Sequence, residues 1–110
     1  MATEKQIQEL SAALIRAKEC ANKLSEADDE GTCNFDAPQI CLKGWRAEEA
    51  QRAFERAELR CDIQKSGNAI IVDVYGCLIG QASRRTQMAK AVRDSLKADG
   101  YEAYVYYKID

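Results

Sequence analysis

Ile70-Ile71-Val72-Asp73-Val74-Tyr75 runs into Gly76-Cys77-Leu78-Ile79-Gly80-Gln81-Ala82-Ser83 and then into Arg84-Arg85-Thr86. The β-branched apolar residues at its start suit a pleated, buried surface, so Ala69–Tyr75 is expected to be the central strand of a sheet. Gly76 and Gly80 then mark a loop, and a basic helix is expected from Gln81 or Ser83 to Ala98. Its apolar line is Met88, Val92 and Leu96, with Ala89 and Ala91 alongside, and Asp99-Gly100 ends it. Helix starts offer free N–H groups and partial positive charge to anions. Gln81, Ser83, Arg84, Arg85 and Thr86 therefore form a candidate anion or nucleic-acid site, continued along the helix by Lys90, Arg93 and Lys97. The loop lacks the Gly-Lys-Ser/Thr of a phosphate-binding loop and is no dinucleotide fingerprint. Arginines at a helix start work against its dipole, so they either serve an outside anion or pair with acids at 26–36 or with Glu102.

Upstream of the central strand, Arg60-Cys61-Asp62-Ile63-Gln64 alternates and Lys65-Ser66-Gly67-Asn68 is a turn, so the two runs form a hairpin. Before them, Ala47, Ala50, Phe54 and Ala57 recur at helical spacing, which predicts a helix over 46–59 entered through Gly44-Trp45. Thr32-Cys33-Asn34-Phe35-Asp36 alternates and is expected to be the first strand, interrupted at Pro38, with Ile40-Cys41-Leu42 resuming it or packing as a loop. Ile7, Leu10, Leu14, Ala17, Ala21 and Leu24 make one stripe of an amphipathic helix over 4–26, stopped by the acidic turn ending in Gly31. Tyr101–Tyr107 closes the chain as an aromatic strand.

The expected fold is a single α+β domain over 1–110. An N-terminal amphipathic helix and acidic turn occupy 1–30, and a β-α-β-β-α-β core occupies 31–110. That order is the ferredoxin-like split βαβ plan, with strand order 4-1-3-2 and two helices on one face of an antiparallel sheet. The extra helix goes to the other face, to an edge or into a partner. Parity then places Asn34, Asp36, Asp62, Gln64, Ile71, Asp73, Tyr75, Tyr104 and Tyr106 on the opposite, open face. Of these, Asn34, Asp36, Asp73, Tyr75, Tyr104 and Tyr106 form the candidate open-face site. RNA-recognition sheets stack bases on exposed rings, but here the basic-glycine-aromatic pattern is missing and aspartates stand where rings are wanted. An amphipathic helix or a dimer partner over Tyr104, Tyr106 and Ile71 is the favoured reading. Asp36 and Asp73, if neighbours on that face, are the two-carboxylate minimum for a magnesium-dependent nuclease.

Composition narrows the classes. Among 110 residues, 46% are apolar and 31% charged, as in a folded globular domain, and no run is long enough to span a membrane. The N-terminus lacks the plan of a signal peptide, so a cytoplasmic location is expected. Five cysteines and no histidine, with no pair of cysteines at zinc-ligand spacing, predict reduced thiols, with no metal and no cofactor. The net charge of −2 is spread unevenly: −4 over 1–58 and +2 over 59–110. That asymmetry suits contact with an anion, an acidic partner or a second copy.

Gly31-Thr32-Cys33-Asn34-Phe35-Asp36-Ala37-Pro38, the run Arg84–Val92 and the tail Gly100–Tyr107 resemble small uncharacterised proteins of Gram-positive gut bacteria and their phages or mobile elements. The resemblance implies no catalytic residue and an accessory or anti-defence binding role. The function expected is thus a non-enzymatic domain that binds a protein partner or its own copy. Nucleic-acid or phosphate binding by 84–97 is the alternative, and the nuclease is third.

Overall fold

The computed structural model describes residues 2–22, 37–75 and 82–106. Its elements are α1 (Glu4–Asn22), β1 (Ala37–Lys43), α2 (Ala47–Arg56), β2 (Arg60–Ser66), β3 (Ala69–Tyr75), α3 (Ala82–Ala98) and β4 (Glu102–Tyr106). The chain is α+β: the described residues form three helices and a four-stranded sheet in the order β2-β3-β1-β4, in which every neighbouring pair is antiparallel.

The β2–β3 hairpin follows from its turn. Ser66 pairs with Ala69 across a two-residue connection, and Gly67 sits at φ +63°. Only glycine takes that backbone readily, and glycine at the first central position suits the right-handed twist of the flanking strands. Burial then alternates along β3, with Ile70, Val72 and Val74 inside. β1 corrects the expected break at Pro38. Over the described residues it runs Ala37–Lys43, and Pro38 lies within it rather than interrupting it. Pairing with β3 starts only at Gln39, whereas pairing with β4 starts at Ala37. Proline, which has no N–H to donate, therefore falls where β1 has one neighbour strand. Ile40 and Leu42 continue β1 and are buried, and the run 32–36 lies outside the described residues.

One cluster unites the inward strand residues with the apolar stripes of all three helices: Leu10 and Leu14 of α1, Phe54 of α2, and Met88, Val92 and Leu96 of α3. α2 and α3 pack on the sheet, and α1 packs against both of them. The extra helix therefore joins the helical layer and does not cover the opposite sheet face. Alanines on the α1 stripe, Ala13, Ala17 and Ala21, are completely or almost completely buried and permit close approach of the helix backbones. Arg16–Asp99 and Arg56–Glu4 ion pairs tie α1 to the end of α3 and to α2. Both are exposed and contribute well under ~1 kcal/mol each.

α2 and α3 end alike. Leu59 N–H bonds Phe54 C=O at 2.9 Å and Glu58 N–H bonds Glu55 C=O at 3.0 Å. Likewise Tyr101 N–H bonds Leu96 C=O at 3.1 Å and Gly100 N–H bonds Lys97 C=O at 3.0 Å. These are Schellman caps, which place one residue in the left-handed region. In α3 that residue is Gly100 at φ +93°, and in α2 it is Glu58 at φ +58°. Hence α2 stops short of the expected Leu59, at a site with no glycine to mark it.

Candidate open sheet face

The strand registers set the open face in cross-strand rows. Tyr104 of β4 lies opposite Gln39 of β1, Gln39 opposite Asp73 of β3, and Asp73 opposite Asp62 of β2. The next row runs Glu102, Cys41, Ile71 and Gln64. On the other side of the first row, Tyr75 lies opposite Arg60. Among the described residues no helix covers these rows, because α1, α2 and α3 share the buried face. Gln39, Cys41, Ile71, Asp73 and Tyr75 are half-buried, and Tyr104 is 55% exposed.

Hydrogen bonds hold the middle of the face. Gln39 Nε2 donates to Asp73 Oδ1 at 2.7 Å, and the Tyr75 hydroxyl donates to Asp73 Oδ2 at 3.4 Å. The Asp73 carboxylate is thus oriented by two neutral donors, with a second carboxylate, Asp62, directly across the strand pair. Like charges in that position repel and weaken a sheet. Glu102 is paired with Lys43 at 3.4 Å.

Of the expected site residues, Asp73, Tyr75 and Tyr104 lie on the open face in the rows just given. The cross-strand neighbour of Asp73 on β1 is Gln39, and no group of three or more acid or cysteine side chains able to hold a metal occurs among the described residues; Asp36, the other acid of the nuclease reading, lies outside them. Asn34 lies outside the described residues as well, and so does the side chain of Tyr106, although its backbone pairs with Ala37. Gln39 is the residue that sequence reasoning missed. The alternation of Ile40 and Leu42 against Gln39 and Cys41 carried the signal, but Pro38 obscured it.

The basic candidate divides. Gln81 and the side chains of Ser83, Arg84, Arg85 and Thr86 fall outside the described residues. Farther along α3, Lys90 and Lys97 are exposed, while Arg93 is half-buried and bonded to Asp94 at 2.9 Å. Spacings of three and four residues put these three cations on one side of the helix.

Two other features lie away from the face. Glu49, only 8% exposed, accepts the Arg46 N–H at 2.8 Å and the Ala2 N–H at 3.1 and 3.0 Å to its two oxygens. Those bonds, the Arg46 one foremost, hold its carboxyl below the usual carboxylate range. Cys20, Cys41 and Cys61 are free thiols. Burial, with Asp62 and Glu55 nearby, pushes the Cys61 thiol up and makes it a poor nucleophile. No described helix is long and apolar enough to cross a membrane. Comparison with family models, with curated proteins and with solved structures finds no match to this chain.

Proposed function

We propose that the chain is a non-enzymatic binding domain that uses the open face of its sheet to hold another protein or a second copy of itself. The observation that carries this reading is the row Tyr104–Gln39–Asp73, which no described helix covers and in which an exposed tyrosine and an oriented carboxylate flank Gln39. Rings with one polar end are well suited to interfaces, because they bury large area at low entropic cost. The core beneath is read as the ferredoxin-like split βαβ plan with an added helix. Its support is the element order after α1 and the strand neighbours, which from the β4 edge read β4-β1-β3-β2. A cytoplasmic setting belongs to the same reading, supported by free thiols at Cys41 and Cys61, which parity puts on opposite faces of the sheet. An accessory or anti-defence role is the biological context proposed with it.

Size exclusion with light scattering over a hundredfold concentration range tests self-association. A mass that rises with concentration, and returns to the monomer in Tyr104→Arg, is the expected result. A monomer at every concentration, unchanged by the substitution, overturns the self-association form of the reading.

The exposed cations of α3 favour nucleic-acid binding as a second reading. Titration with single- and double-stranded nucleic acid at two salt concentrations should then show affinity that falls with salt. Lys90→Glu/Lys97→Glu and Arg84→Glu/Arg85→Glu should each weaken it. Binding that ignores salt and both variants rejects this reading.

A further inference from the structure

We draw no further inference here: the strongest candidate, the facing Asp62 and Asp73 carboxylates on the open sheet face, belongs to the site already described, and nothing in the structure shows what covers it.

Discussion

Asp62 and Asp73 face each other across the β2–β3 pair, on the side of the sheet that no described helix covers. Repulsion between them is relieved by reversing one charge. Asp62→Lys should therefore raise stability by about 0.2–1 kcal/mol, read as a higher urea midpoint at unchanged slope. An unchanged or lower midpoint would show that the two charges are already screened. Glu49 behaves in the opposite sense. Its carboxyl is held below the ordinary 4.5 by N–H donors from Arg46 and Ala2, so the folded state favours the ionised form. That stability is in force above the unfolded-state value and is lost as pH falls through the folded one. Glu49→Gln should lower the melting temperature at pH 7. The loss should shrink as melts are repeated at falling pH, through the folded-state value at which the wild-type carboxyl takes up its proton. A constant difference at all pH values would assign the effect to packing and not to charge.

Two helices with the same cap but different residues at the left-handed position make a comparison within one chain. Glu58 carries the cost of a side chain at φ +58°, whereas Gly100 takes φ +93° without it. Glu58→Gly should stabilise the fold by about 1 kcal/mol, and Gly100→Ala should destabilise it by a similar amount. No atom lies within 4 Å of a Cβ built at Gly100, so any loss there comes from the backbone and not from a clash. Thermal denaturation of the two variants checks both signs. The same residues explain what could be read in advance. α3 announced its end through Gly100 and its core stripe through Met88, Val92 and Leu96, and the β2–β3 hairpin announced itself through Gly67 and strict alternation. The end of α2 was hidden because Glu58 gives no local sign of a left-handed backbone. The continuity of β1 through Pro38 was hidden because proline in a strand reads as a break unless its neighbours are known. The partner of Asp73 depended on that continuity, since register is a property of two strands and a shift in one exchanges every cross-strand neighbour. The docking of α1 was hidden for a related reason: its stripe names a buried side but not the surface that buries it.

At the scale of the whole molecule, burial among the described residues is one-sided, and two adjacent residues of β3 can test it. Val72 is fully buried beneath the helical layer, and Ile71, one residue earlier, points to the open face and is half-buried. A lysine at 72 has to place an ammonium in the core, away from water and without a partner, so Val72→Lys should abolish cooperative unfolding or shift it by several kcal/mol. A lysine at 71 can run its stem over the sheet and leave its charge in solvent, so Ile71→Lys should keep the native circular dichroism spectrum at a cost of about 1 kcal/mol. If the open face is where the protein associates, Ile71→Lys should nonetheless lose the concentration-dependent mass seen by light scattering. Folding and association then separate at a single strand, one residue apart. Should Ile71→Lys unfold the chain as Val72→Lys does, the face opposite the helices is part of the core, and its proposed role as a docking surface fails.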